Sequence, residues 1–437
     1  MKSRGAKFRE FCAIPRRTVR LIASSDFQQR RSIEAAVAVD SPMLGPVGGS
    51  MSSPSQKFRY LAKDAVAMIS ITECLIEILS WLPVRSLLRF KCVCKVWYNI
   101  ISDPYFIRKH LHYSRKKPQL VIIPYSIDLC EIGFYNYSPT QLQAHLMFQK
   151  VFSEVPECFL CLQQVDGLLL LSTLDSLYVC NPSIGEFITL PEGSNHMPTH
   201  PYYRCFPEER AGFGYDARNK CYRVARYFYR WHDFKNKTYS LGLEVFDLGK
   251  DTSWRILGED PPYPILAWIA PVSIDGVIYF RVDNGLHKFP PTGVVSFDLK
   301  DNKFKVIDRP SCFSSLDVCD DRQLDISELE GELCFVRESK NSKLDIWVHK
   351  EDDSWVHTYS IDFDCVHKFG ELIGVREGKI LLHVYDSHHR LDFCDSKIVL
   401  KDLKYYKAPN SYCSFDDETC FHVLRYVESL ASVTTRV

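Results

Sequence analysis

Apolar residues recur along this chain with two different periods, and the change of period divides it. Between residues 69 and 110 they return every three or four positions. Leu75, Ile78/Leu79 and Leu82 fall on one helical face. Ser70 and Glu73 stand ahead of them at the spacing of a capping box, hydroxyl at the N-cap and carboxylate at N3. Pro83 stops this helix, because proline lacks an N–H and pushes its predecessor into extended geometry. Ser86 to Phe90 predicts a short second helix with Leu87 and Leu88 inward. Val93, Val96/Trp97 and Ile100/Ile101 predict a third, ended by Asp103-Pro104. Three short helices over about forty residues bury little by themselves, so this block is expected to complete its core against a partner.

From about residue 117 the period falls to two. Leu168 to Leu171, Tyr222 to Tyr227 and Val277 to Phe280 are short runs, β-branched or aromatic, bounded by Gly, Asp, Asn and Pro, and they read as strands. The next candidate helix is 418–430. Two half-repeats recur. One is an acidic residue and glycine followed by a strand: Asp166-Gly167, Asp275-Gly276, Glu330-Gly331 and Glu377-Gly378. The other is a strand, a polar turn and an aromatic, with Phe187, Trp254, Phe304, Trp355 and Tyr406 as markers separated by 67, 50, 51 and 51 residues. A period near 50 is that of a four-stranded kelch-like propeller blade, and the markers are best read as blade-packing residues. The long first interval holds a Pro- and His-bearing loop at 192–210. The remaining length favours six blades, with seven as the next choice.

Residues 1–60 belong to neither pattern. Nine Lys/Arg stand against two acids in the first 31 positions, and a Ser-Pro-Gly-rich stretch follows. Such a composition cannot bury a core and is expected to be disordered. An organelle transit peptide and a start at Met51 are the other readings of this segment.

The whole chain of 437 residues carries 54 Lys+Arg against 54 Asp+Glu, so net charge supplies no pull toward nucleic acid or an acidic membrane. No apolar run reaches the ~20 residues a spanning helix needs. The 17 Cys show no disulfide framework, and with no apolar leader in view they are expected to be free thiols in a reducing compartment, cytoplasm or nucleus.

With these elements placed, a resemblance becomes visible. Glu77 to Trp97, EILSWLPVRSLLRFKCVCKVW, resembles an F-box in its plant form, the domain covering 69–112. Residues 115–432 resemble the plant F-box-associated domain of the F-box/kelch-repeat type. Asp166-Gly167-Leu168-Leu169, Asn181-Pro182-Ser183-Ile184-Gly185-Glu186, Gly212-Phe213-Gly214-Tyr215-Asp216, Leu344-Asp345-Ile346-Trp347-Val348 and Tyr426-Val427-Glu428-Ser429-Leu430 carry the likeness. The fold implied is α+β and multidomain: a small three-helix F-box, then an all-β propeller.

The function implied is that of substrate-recognition subunit of an SCF-type cullin–RING ubiquitin ligase. The subunit is non-catalytic, with a Skp-family adaptor and through it a cullin as partners. Leu75, Ile78, Leu79, Leu82, Pro83, Leu87, Leu88, Val93 and Trp97 are the candidate adaptor-binding residues, by helix-in-groove association. The propeller would hold an unknown protein substrate on loops such as 192–210, 231–240, 258–268 and 308–323. Tyr202, Tyr203, Trp231, Tyr263 and Trp268 are the aromatics of the type that anchors interfaces. One departure stands out: the Leu-Pro pair that usually opens an F-box is Ile71-Thr72 here. A non-ligase scaffold with a degenerate F-box therefore remains an alternative, as does a propeller enzyme or sugar-binding lectin.

Catalytic and metal readings find little support. Gly212-Phe213-Gly214-Tyr215-Asp216-Ala217 matches a dinucleotide fingerprint in letters, but a strand is predicted after it where a helix is required. Cys158/Cys161, Cys92/Cys94 and His383/His388/His389 lack partner ligands at usable spacing, so no metal and no cofactor are expected. The basic run Arg108 to Lys117 reads as a solvated helix face and linker, with a steering surface or nuclear signal as the alternative.

Overall fold

The computed structural model describes residues 72–434, apart from the segments 126–130, 139–142, 153–159, 174–175, 195–209, 234–235, 237, 267–268, 284–292, 314–323, 340–342, 363–367, 377–378, 387–395 and 403–419. The chain divides into two compact units, residues 1–69 and 70–437. The extension expected at 1–60 lies outside the described residues.

Four helices open the second unit: α1 (72–80), α2 (Val84–Phe90), α3 (Lys95–Ser102) and α4 (Pro104–Ser114). Three helices were expected. Asp103-Pro104 does end the third, but it also begins a fourth. The Asp103 carboxylate accepts the Tyr105 N–H at 2.7 Å, and Pro104 occupies the first helical position, where its missing N–H has no cost. Leu79, Val84, Leu87, Ile101 and Phe106 form the buried core between the helices, and Phe90 meets Trp97 edge-on at 5.0 Å.

The remaining described elements are strands, arranged in six antiparallel sheets. The first sheet holds Gln119–Tyr125 (β1), Glu131–Ser138 (β2), Gln143–Val151 (β3) and, at its inner edge, Cys420–Tyr426 (β23). The second is Leu160–Val165 (β4), Leu168–Ser172 (β5), Leu177–Asn181 (β6) and Glu186–Thr189 (β7). The third is Arg210–Asp216 (β8), Cys221–Asp233 (β9), Thr238–Asp247 (β10) and Arg255–Ile256 (β11). The fourth is Val272–Ile274 (β12), Val277–Arg281 (β13), Gly293–Asp298 (β14) and Lys303–Asp308 (β15). The fifth is Leu324–Leu329 (β16), Glu332–Ser339 (β17), Lys343–His349 (β18) and Trp355–Asp362 (β19). The sixth is Lys368–Arg376 (β20), Lys379–Asp386 (β21) and Ser396–Asp402 (β22). Inner strands β4, β8, β12, β16, β20 and β23 neighbour one another in a closed circle, which makes the domain a propeller. The expectation of six four-stranded blades, with seven next, is corrected: five blades are complete. The sixth sheet has three strands among the described residues, because its aromatic marker Tyr406 lies outside them.

Three of the four acidic-Gly dipeptides are the turns between first and second strands, and Glu377-Gly378 lies outside the described residues. Asp166/Gly167, Asp275/Gly276 and Glu330/Gly331 all have positive φ (54°/82°, 49°/82° and 54°/88°), the two-residue geometry that matches strand twist. The described aromatic markers Phe187, Trp254, Phe304 and Trp355 sit on or beside outer strands and stitch blades together. Trp254 donates its indole N–H to the Pro191 carbonyl at 2.7 Å, and Trp355 does the same to Asp308 at 2.7 Å, each reaching the preceding blade. The fingerprint-like glycines lie in β8. A Cβ at Gly212 would stand 2.5 Å from the Ile278 side chain, and one at Gly214 2.5 Å from Leu299, so they serve close blade packing. Buried Arg223 pairs with Asp216 at 3.0 Å and Asp247 at 2.5 Å, and donates to the Leu299 carbonyl of the next blade at 2.8 Å. Where the candidate helix at 418–430 was expected, the described residues form β23 over Cys420–Tyr426, followed by residues 427–430 in neither helix nor strand. Cys420 to Tyr426 pairs with β1 over seven residues, and that tertiary pairing decides its conformation.

Candidate docking surfaces

Strand parity gives the ring two unlike faces. In each blade the turns joining strands one to two and three to four emerge at one end, and the other connections at the opposite end. The chain enters the ring at the start of β1 and leaves it at the end of β23, which is the end that carries the acidic-Gly turns. The helices therefore meet that turn face. Arg115, just after α4, binds Asp166 at 2.6 Å, and Ile184 of the β6–β7 turn packs into the helical core.

The segment after β23 locks this seat. The buried Asn181 amide donates to the carbonyls of Ser429 at 3.0 Å and Ala431 at 2.8 Å, while its Oδ1 accepts the Ser183 N–H at 3.0 Å. Glu186 accepts the Val433 N–H at 2.7 Å and the Ser432 hydroxyl at 2.8 Å. Leu430 enters the helical core itself. The Glu428 carboxylate accepts the Val84 N–H at 3.1 Å, capping α2, whose own N-cap is proline and has no side-chain oxygen to offer. Burial raises the Glu428 carboxyl above its ordinary range, opposed by hydrogen bonds from Val84 and Gln119. Within the helices, the His110 Nε2 meets the Leu82 carbonyl at 2.9 Å, and burial lowers the imidazole pKa.

The nine adaptor-facing candidates separate under this geometry. Ile78, Pro83 and Val93 are exposed, while Leu75, Leu82 and Trp97 are half-buried at the edge of the core. Leu79 and Leu87 are 1% and 0% exposed and offer no surface, which removes them as contacts. Leu88 lines a cavity on the side toward the ring. Sequence reasoning passed over Trp81 and Val96, which are 55% and 58% exposed. Trp81 packs on Tyr113 at 4.4 Å, and the Lys117 ammonium lies over its face at 5.3 Å. Both residues lie three positions after another exposed apolar residue, Ile78 and Val93, and that spacing was the available signal.

At the opposite end of the ring, away from the helices, the described ends of the loops 192–210, 231–240, 258–268 and 308–323 leave and rejoin the blades. Tyr202, Tyr203 and Trp268 lie outside the described residues. Trp231 and Tyr263 are described, with Trp231 half-exposed and Tyr263 partly buried. Trp231 stands on a ribbon that outgrows its blade. β9 is 13 residues long, yet β8 pairs with it only as far as Tyr227, so Phe228–Asp233 and Thr238–Gly242 continue as two strands alone. Arg230 braces the ribbon, bonding to the Leu241 carbonyl and pairing with Asp260 at 2.7 Å. Tyr239 on the same ribbon has its phenol pKa raised, by burial first and then by Tyr263 and Asp283 nearby.

Among the described residues no cluster of His, Cys, Asp and Glu could hold a metal ion, and no helix is long and apolar enough to cross a membrane.

Residues 72–109 match the F-box domain family, and residues 130–374 match the family described as F-box associated beta propeller domain. Among similar proteins, an F-box protein of Arabidopsis thaliana is 29% identical over 339 residues, spanning 72% of this chain and 74% of its own. The F-box protein CPR1 of the same plant is 26% identical over 302 residues, 64% of this chain and 70% of its own. Among solved structures, Aleuria aurantia lectin aligns over 69% of this chain and 97% of its own at 10% identity and a TM-score of 0.35, too remote to carry an argument.

Proposed function

This chain belongs to the F-box proteins that carry an F-box-associated β-propeller domain, and from that premise we propose that it is the substrate-recognition subunit of an SCF-type cullin–RING ubiquitin ligase. The F-box docks on a Skp-family adaptor, and through it on a cullin. The propeller holds a protein target, and ubiquitin transfer takes place on other subunits. The observation that carries this reading is the division of surfaces. The helices sit on the turn face of the ring with Ile78, Trp81, Val93 and Val96 turned to solvent, while at the other end no described element covers the loop face with its projecting Trp231 ribbon.

Those four side chains are 55–61% exposed. Covering what remains of each is worth about 1 kcal/mol, so together they supply about 4 kcal/mol before the costs of association. The site of action proposed is the cytoplasm, the nucleus or both.

The test is co-purification of the full chain with a Skp-family adaptor, comparing the unmutated protein with Trp81→Ala/Val96→Ala. Neither residue is in the buried core, so the variant is expected to melt with the wild type and to lose adaptor at least tenfold. Retention by that variant would remove the docking surface. Absence of any adaptor complex for the unmutated chain would instead favour a scaffold, as the Ile71-Thr72 opening suggested.

A further inference from the structure

Cys92 and Cys94 lack the further ligands a metal site needs, yet the fold does not hide them. They flank Val93 in the tight turn between α2 and α3. There the Cys92 and Val93 N–H groups donate to the carbonyls of Arg89 at 3.1 Å and Phe90 at 3.0 Å. Both thiols are free and exposed, and Val93 between them is 61% exposed. Two residues of chain span at most about 7 Å when fully extended. A turn shortens that span, toward the roughly 4.4–6.8 Å between the Cα atoms of a disulfide.

The other described cysteines differ. Cys180, Cys221 and Cys334 are buried. Burial pushes the Cys334 thiol up to about 12 and raises that of Cys221, which keeps both as inert thiols. Cys74 and Cys312 are exposed, but neither has a second cysteine within two positions. Around the pair, Arg85, Arg89, Lys91 and Lys95 follow one another with no acidic residue between Glu77 and Asp103. Lys91 has Glu186 of the ring nearby, while Arg89 and Lys95 are exposed. Reactive thiols occupy exposed, electropositive settings of this kind, and such a setting attracts an anionic oxidant.

We propose that Cys92 and Cys94 are a redox modification site, a dithiol that an anionic low-molecular-weight disulfide of the glutathione class closes into an intramolecular disulfide. One protein thiolate attacks the small disulfide. A mixed S–S bond forms, and one half leaves as a thiolate that takes up the proton the cysteine gave. The other cysteine then attacks the protein-bound sulfur. The Cys92–Cys94 bond forms and the second half leaves as its thiol. The dithiol loses two electrons, and the small disulfide is reduced to two thiols. Exposed disulfides are the labile ones, so a thiol pool reverses the step. Val93 and Val96 lie on the proposed docking surface, and closure ties the turn that presents them, so it weakens adaptor binding. That consequence rests on the proposed function; the thiol chemistry does not.

The experiment treats the reduced full chain with glutathione disulfide. Remaining free thiols are blocked with one alkylating label under denaturing conditions, and thiols released by reduction take a second. Mass spectrometry reads each residue, and non-reduced peptides tell a bridge from bound glutathione. Cys92 and Cys94 are expected to carry the second label together, about tenfold above Cys221 and Cys334, and to be bridged. Cys92→Ser is expected to leave glutathione held on Cys94. Glutathione retained separately on Cys92 and Cys94 of the unmutated chain, or no more oxidation there than at Cys334, would overturn the proposal. In a second arm the oxidised chain is expected to capture about tenfold less Skp-family adaptor than the reduced chain, with capture restored by reductant. Cys92→Ser/Cys94→Ser is expected to capture equally before and after oxidation, and an equal loss in that variant would overturn the link to docking. A reduced chain that captures no adaptor counts against the proposed function, and the labelling arm still decides the dithiol.

Discussion

Asn181 offers the sharpest test of how the helices are held. It is fully buried, and Asn181→Ala strips four hydrogen bonds at once: two donated to the carbonyls of Ser429 and Ala431, and two accepted from the Ser183 N–H and, at 3.3 Å, the Tyr426 hydroxyl. Tyr426 keeps a partner in the Ser183 hydroxyl at 2.7 Å, so its loss is partial. A net hydrogen bond is worth about 1 kcal/mol, and each carbonyl left buried and unpaired costs about 1–3 kcal/mol. The expected loss is therefore about 3–5 kcal/mol. It falls first on residues 427–433, because Ser429 and Ala431 lose their anchor while the blade around β6 keeps its ladder. Urea denaturation measures the total. Hydrogen exchange localises it, with the amides of Val433 and Val84 expected to exchange faster, since Val433 lies in that segment and holds it to Glu186, and Val84 binds Glu428 within it. A cost under about 1 kcal/mol, or unchanged exchange at Val84, would refute the claim that Asn181 couples the segment to the helices.

Three other outcomes follow from the same geometry. Gly167→Ala and Gly331→Ala both force a side chain into positive φ, but at Gly167 the new Cβ meets the Val427 carbonyl oxygen and lies 2.6 Å from the Ser429 Cβ, while at Gly331 it meets open space. Thermal melts are expected to show about 1 kcal/mol lost at Gly331 and at least twice that at Gly167. Glu428→Gln keeps an acceptor for the Val84 N–H and removes a titration. The carboxyl has a folded pKa raised above its ordinary 4.5, so its favourable contribution is present below that value and is lost as pH climbs through the raised one. Melting temperatures taken across pH 4–8 are expected to move in favour of the Gln variant as pH rises, and a constant difference would contradict this. Trp231→Ala on the projecting ribbon is expected to leave stability and adaptor retention unchanged while target capture in cells falls at least tenfold, read by proximity labelling with the wild-type chain alongside.

The strand pattern and the acidic-Gly dipeptides were legible in the sequence because period-two alternation and left-handed turn residues are local demands. Residues such as Asp275 and Gly276 meet them whatever the rest of the chain does. The proposed docking surface was legible only in outline. Leu79 sits on the same apolar stripe as Leu75 and Leu82, and Leu87 on the apolar face of the next helix, and periodicity cannot tell whether such a face turns toward a partner or toward its own core. Here the ring and Leu430 lie against that stripe, which leaves the off-stripe Trp81 and Val96 in solvent. Asp103-Pro104 carried two messages, and the stop was read while the start was missed. The Glu428 cap on Val84 joins residues 344 positions apart, a distance over which no single-sequence pattern carries information. The helix considered at 418–430 failed for the same reason, since its conformation is set by β1.

The placement of β23 beside β1 also orders events in time. During synthesis the helices and β1 leave the ribosome first, and β1 waits for a neighbour that arrives roughly 300 residues later, about 15–60 seconds at ordinary elongation rates. Until then the ring has an open seam, Leu430 is missing from the helical core, and Val84 has no cap. A nascent or prematurely stopped chain thus displays its helices without the seat that aims them, and only a chain translated through residue 433 can present both ends in working register.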